Sequence, residues 1–220
     1  IMCKAGFDWL AIDLEHSTIG LRECEELIRI IDLSNVSPLV RLTSNNSDQI
    51  KRVLDAGCHG IIVPMINNAE DAMLAISSSR YPPYGTRGVG LARAQGYGNK
   101  FNDYMKWQKE NLIVIVQIEH IDAVNNLEEI LSVDGVDGYI VGPYDLSASI
   151  NKPGEFEDKE FLELLKKIKT IGNDLKKPGG IHIVEPDKNK LKDSINDQNN
   201  FIAYSVDIRM IDWISREGIN

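Results

Sequence analysis

Cysteine is scarce in this 220-residue sequence, and the three present (Cys3, Cys24, Cys58) form neither a CxxC pair nor an even disulfide set. That argues against a disulfide-stapled secreted scaffold and for a reducing, cytoplasmic compartment. Positive charge is also short, with 24 Lys and Arg against 33 Asp and Glu, a net charge of −9, and no basic cluster flanked by aromatics. A nucleic-acid surface would lack its electrostatic footprint, so nucleic acid is excluded as a partner. No apolar run approaches the roughly 18 residues of a membrane span and no signal peptide is visible, so no membrane partner is expected. HxxxH is missing as well as CxxC, which disfavours zinc.

What is present is a core-sized apolar fraction, 43% of residues, arranged in a repeat. Short β-rich runs at 8–15, 37–42, 60–65, 112–119, 138–143, 179–184 and 201–208 alternate with amphipathic stretches such as "LRECEELIRIID", "SDQIKRVLDAG", "NAEDAMLAISSS", "AVNNLEEILSV" and "DKEFLELLKKIKTIG". The runs are Val/Ile-rich without polar alternation, which predicts parallel strands covered on both faces. The opening "IMCKAG" reads as a last helical turn closed by Gly6. Seven strand–helix units and this orphan turn predict an α/β fold, a (β/α)8 TIM barrel whose first strand and most of whose first helix precede residue 1. An open doubly wound sheet competes, but the glycine-rich nucleotide turn expected after an early strand is not there; "DLEHST" stands in its place. The interruption at 80–111, with "RYPPYGTRGVGLARAQGYG", reads as an ordered loop, and such loops are commonly functional. Without repeats or linker composition, residues 1–220 are expected to form one domain.

Polar groups gather where the predicted strands end: Asp13, Glu15, His16, Arg41, Gln117, Glu119, Asp145, and then Asp207 and Arg209. Strand starts carry mostly Gly, Ser, Asn or Leu, so the charges favour one rim, the one on which such barrels build their active sites. Glu119 and Asp145, from adjacent strand ends, suit a hard divalent cation whose shell is completed by water or substrate. None of the seven strands contains a lysine, so a Schiff-base aldolase lacks its nucleophile and a metal is favoured as the electrophile that polarises a ketone. "HIVEPD" and "SVDIRM" replace the phosphate-binding glycines of many barrels, which makes a phosphorylated substrate less fitting.

The ordered set "GFDWLAIDLEHS", "PLVRLTSNNSDQIKRVLDAG", "VPMINNAEDA", "RYPPYGTRGVG", "VQIEHIDAVNNLEEI" and "DGVDGYIVGPYDLSAS" resembles the HpcH/HpaI aldolases over nearly the whole chain. These are metal-dependent (class II) pyruvate aldolases with a (β/α)8 fold, including 2,4-dihydroxyhept-2-ene-1,7-dioate and 2-keto-3-deoxy-sugar-acid aldolases. The resemblance implies a divalent cation (Mg²⁺, Mn²⁺ or Co²⁺) on Glu119 and Asp145. It also implies pyruvate contacts from Gln117 and from the backbone of Tyr144 and Asp145, with Arg41 steadying the enolate. His16 matches the base, Asp55 the acid that raises its basicity, and Asp13 an acidic position that supports it. Pyruvate and an aldehyde are the implied small-molecule partners, 4-hydroxy-2-oxo acids the products or substrates, and a homo-oligomer the implied assembly. Tyr144 and His120 stand where better-known members carry Ala and Thr, and Tyr144 adds bulk beside the ligand carboxylate.

Competing readings attach to the same residues. Arg41 could pair with Asp13 or Glu15 for structure alone, His16 could bond a backbone carbonyl, and Asp55 could be a solvated acid. Arg87 and Gly88 either help close the site or shape a turn. His59, His120 and His182 receive no chemistry, and Cys58 is expected to pack. Two other functions fit the residues: a related barrel lyase acting on an acyl-CoA or dicarboxylic acid, and a non-catalytic 2-oxo-acid-binding protein.

Overall fold

A computed structural model describes residues 1–219. Seven strands form a single parallel sheet in sequence order: β1 (Trp9–Asp13), β2 (Ser37–Arg41), β3 (Gly60–Val63), β4 (Ile113–Ile118), β5 (Gly138–Val141), β6 (Gly179–Ile183) and β7 (Ala203–Tyr204). Helices return the chain after each strand: α1 (Leu21–Leu33), α2 (Ser47–Asp55), α3 (Ala69–Ser79), α4 (Phe101–Asn111), α5 (Ile121–Asn125), α6 (Leu127–Ser132), α7 (Pro143–Ser149), α8 (Lys159–Asp174), α9 (Lys188–Asn196) and α10 (Asp207–Glu217). Asn46, Asn68, Asp158 and Asp187 start α2, α3, α8 and α9 by accepting first-turn backbone N–H groups, the capping role for which short polar side chains are favoured.

The seven parallel strands expected of this chain are all present, and among the described residues they form a curled sheet with β1 and β7 at its edges. Trp9 of β1 stacks on Phe201, just before β7, with ring centroids 4.7 Å apart. The opening turn is a short 3-10 helix (Met2–Lys4) followed by Gly6 at φ +95°. Inside the curl, Ile62, Ile115 and Ile140 pack with Trp9, Phe201 and Ala203, while a larger apolar layer fills the space between the sheet's outer face and the helices.

Three predicted boundaries move for identifiable reasons. β1 stops at Asp13 because the Asp13 carboxylate accepts the backbone N–H of Glu15 at 2.9 Å and turns the chain. β7 keeps two of the eight expected residues, since Ser205, whose N–H makes the last ladder bond to Ile183 O, turns to φ +58° and bonds Val184 O through its hydroxyl. Asp207 and Arg209 consequently lie in α10. Residues 101–111, expected within a loop, are α4; no side chain caps it at Lys100, and it is held by Tyr104 stacking on Trp107 and edge-on to Tyr81.

All three cysteines are free, and two are sealed in the core. Burial pushes the thiol of Cys58 up to about 12, reinforced by Cys24, and that of Cys24 up to about 11. At pH 8 Ellman's reagent should titrate about one thiol in the native chain, the partly exposed Cys3, and all three after denaturation. In the unfolded chain these thiols ionise near 9, so the unfolded state loses protons first. Their contribution to stability is therefore complete below pH 9 and declines as pH climbs toward 11 to 12; a Cys24→Ala/Cys58→Ala variant should flatten that decline in urea titrations.

Candidate active site

The carboxyl ends of β1, β2, β4 and β5 bring seven of the predicted residues to one rim: Asp13, Glu15, His16, Arg41, Gln117, Glu119 and Asp145. Strand alternation explains the choice of side chains. Ile12 and Leu14 are buried against the helices, which turns Asp13 and Glu15 inward, and on β4 the inward series runs Ile115, Gln117, Glu119.

Arg41 is the hub of this group. Its Nε and Nη2 donate to the two Asp13 oxygens at 2.9 and 2.7 Å, a forked pair, and its Nη1 lies 3.2 Å from Glu15 Oε2. Burial alone would lower the Arg41 pKa, but Asp13, Glu15 and Glu119 outweigh it and hold the guanidinium charged. Burial would likewise raise Asp13, and the Arg41 fork reverses the sign, keeping it below the usual carboxylate range. Glu15 is pushed up by burial against the pull of Arg41, and its Oε2 is buried without a hydrogen-bond partner.

Glu119 is 3% exposed and Gln117 4%. The Met65 backbone N–H donates to Glu119 Oε1 at 2.7 Å and the Gln117 amide to Oε2. Met65 does so from a left-handed backbone, φ +53°, a strained conformation of the kind found at functional sites. Burial lifts the Glu119 carboxyl to about 7; Gln117 and Met65 oppose the lift, while Glu15 and the exposed Asp145 on the first turn of α7 add to it. Gly142 belongs to the same site, since a Cβ there would stand 2.9 Å from Glu119 Oε2 and 3.1 Å from Glu119 Cβ.

Four carboxylates (Asp13, Glu15, Glu119, Asp145) thus face one arginine, and that arginine is spent on two of them. Buried negative charge in excess of the one arginine, together with all-oxygen donors, fits a hard divalent cation. No group of three or more His, Cys, Asp and Glu among the described residues is arranged to hold a metal. The fit is therefore to an ion held by two protein carboxylates, with other oxygens completing its shell, and not to a structural zinc.

Other expectations shift. His16 stands at this rim with its ring 65% exposed and 3.9 Å from Glu15, and Asp13 supports its turn through the His16 backbone N–H at 3.3 Å. Asp55 does not reach it: α2 carries the chain back from the rim, and Asp55, its last residue, accepts from Arg87 Nη2 at 2.5 Å. The expected acid–histidine pair is not made within the chain, because the two residues lie at opposite ends of the strands. Arg87 is buried under Tyr81 and bonded to the Tyr104 hydroxyl, so it does not close the rim. The Tyr144 ring packs edge-on to Phe156 at 4.9 Å. His120 caps α5 and His59 pairs with Asp32. Glu15, expected at the rim only as a structural partner for Arg41, sits at the centre of the site beside that arginine, where the period-two step from Asp13 puts it.

A parallel βα fold whose charged chamber opens at the strands' carboxyl ends defines an enzyme architecture of the barrel type. The chain belongs to the HpcH/HpaI aldolase/citrate lyase family, whose pattern it matches over residues 1–211. It is 37% identical over 216 residues to a hydroxypyruvate/pyruvate aldolase of Sagittula stellata, covering 96% of this chain and 83% of the relative. It is 36% identical over 213 residues to a 2-keto-3-deoxy-L-rhamnonate aldolase of Escherichia coli, covering 94% and 77%. A crystal structure of a family protein from Burkholderia cenocepacia J2315 superposes with a TM-score of 0.93 at 29% identity, covering 99% of this chain and 86% of that one.

Proposed function

We propose that this protein is a class II aldolase, a carbon–carbon lyase that makes or cleaves the bond between a pyruvate enolate and an aldehyde, with 4-hydroxy-2-oxo acids as substrates. The observation that carries the reading is the acid surplus at the rim, in which buried Glu119, close to Glu15, Gln117 and Asp145, has no protein cation of its own. Aldolase relatives at 36% and 37% identity support it.

A divalent cation (Mg²⁺, Mn²⁺ or Co²⁺) held by Glu119 and Asp145 would supply Lewis acidity to the keto oxygen of pyruvate. The chain's own residues do the rest. Met65 N–H and the Gln117 amide fix the Glu119 carboxylate. Arg41, locked by Asp13, presents fixed positive charge where the enolate's negative charge develops. His16, exposed at the chamber mouth, takes the methyl proton and returns it. The proposal includes a chamber completed as a (β/α)8 barrel in one domain, a cytoplasmic setting and a homo-oligomer. The uncovered apolar face of α10, with Ile208, Ile211 and Ile214 exposed, offers a surface on which the completing unit can pack.

Deuterium uptake into the pyruvate methyl group in D₂O, followed by NMR, tests the reading without any aldehyde. Exchange is expected with Mg²⁺, Mn²⁺ or Co²⁺ and should vanish with EDTA. Failure with all three ions would leave a non-catalytic binding protein. Release of pyruvate from 4-hydroxy-2-oxo acids, and none of the corresponding cleavage of β-hydroxyacyl thioesters, separates it from a lyase of acyl-CoA substrates.

A further inference from the structure

His182 is an ionisable side chain of the chamber that has no part in this scheme. Ile118 pairs with Val141 and Val141 with Ile181, so one residue further on Glu119, Gly142 and His182 share a row across β4, β5 and β6. His182 pairs with Ala203, which packs in the cluster inside the curl, whereas the adjacent Ile181 packs in the outer core. The imidazole therefore faces inward. It lies within the fields of Arg41 and Asp13, the other charged groups that bear on it, and its Nε2 is 3.4 Å from Ser205 O.

Gly142 makes this arrangement matter. Gly142 puts no side chain of its own between Glu119, whose carboxylate leans over it, and His182, two strand spacings or about 10 Å of backbone away. A short keto acid fixed at Glu119 would extend its far carbons over Gly142 toward the histidine. We infer that His182 is the proton acceptor for the C4 hydroxyl of a 4-hydroxy-2-oxo acid, an inference that rests on the aldolase reading. In the tautomer whose Nε2–H donates to Ser205 O, Nδ1 keeps its lone pair for this proton. Burial first, and then Arg41, hold the imidazole below its ordinary pKa and so neutral, while Ser205 O and Asp13 oppose them.

In cleavage, the C4 O–H proton passes to Nδ1, the O–H electron pair becomes the second bond of the new aldehyde, and the C3–C4 pair becomes the enolate. Condensation reverses each movement, with His182 giving the proton to the alkoxide. His16 remains responsible for the methyl proton, so the two histidines serve different half-reactions.

That division supplies the test. His182→Asn and His182→Gln should lower kcat for cleavage of 4-hydroxy-2-oxopentanoate, read as pyruvate release, by about 10²–10³-fold. Pyruvate methyl exchange in D₂O should change by less than about threefold, since His182 takes no proton from the methyl group. Cleavage unchanged in both variants overturns the assignment. So does an equal fall of cleavage and exchange together with a lowered thermal midpoint, which marks a histidine that only ties β6 to Ser205. A wild-type chain that exchanges no methyl protons removes the aldolase reading itself, and the role of His182 with it.

Discussion

Glu119→Gln should lose on the order of 10³-fold in both pyruvate methyl exchange and 4-hydroxy-2-oxo acid cleavage, and should fold at least as well as the wild type. Glutamine keeps the size of the side chain and an oxygen for the Met65 N–H, and a turned Gln117 amide can accept from its NH2, so packing beneath Gly142 is preserved. What disappears is a buried negative charge whose carboxyl is already raised to about 7 by burial and by the neighbouring acids. Removing a charge from such surroundings relieves desolvation and the repulsion from Glu15 and Asp145, which predicts an unchanged or higher thermal midpoint. Calorimetric titration with Mn²⁺ should show weakened binding in parallel. Retention of exchange within tenfold of wild type would remove Glu119 from the chemistry.

Arg41→Ala is expected to damage stability as well as activity. Its guanidinium is forked onto Asp13 and approaches Glu15, with side chains 18%, 27% and 14% exposed. Truncation leaves two carboxylates without their cation, and breaking one side of a largely buried pair costs about 3 kcal/mol. For a chain of this length that is a fall of roughly 6–12 °C in thermal midpoint. The pH dependence has a definite sign. Asp13 is held below its unfolded value of 3.8, so the stability from the pair is complete above that pH and drains away as pH falls through the folded value. The gap between wild type and Arg41→Ala in urea titrations should therefore be widest near neutrality and narrow below about pH 4. Arg41→Lys, which keeps charge but not the fork, should fall between the two. An Arg41→Ala chain as stable as wild type would reduce the fork to a surface contact.

The sequence carried the sheet and most of the rim because both are written in local patterns. Apolar runs such as "LIVIVQIE" need burial on both faces, and an acid at the end of such a run has few places to go other than the rim. Features set by distant contacts were not legible. α4 has no cap and draws its order from Tyr81, Tyr104 and Trp107. β7 looks continuous in "FIAYSVDI" until Ser205 finds partners on β6. Asp55 carries a motif role that ignores the direction of its helix, and its partner, Arg87, lies 32 residues away. Glu15 was legible as a rim residue and a partner for Arg41, and His182 could have been found by carrying the inward alternation across "GGIHIV".

The Arg87–Asp55 bond also bears on traffic. The long irregular segment between α3 and α4 belongs to the return from β3 to the start of β4, so it lies under the curl, riveted there through Arg87 to the end of α2 and to Tyr104. The doorway at the other end is framed by short turns after β1 to β5. Among the described residues, no part of that long segment overhangs the doorway, so the segment's role there is to brace the floor of the curl and not to cover its mouth.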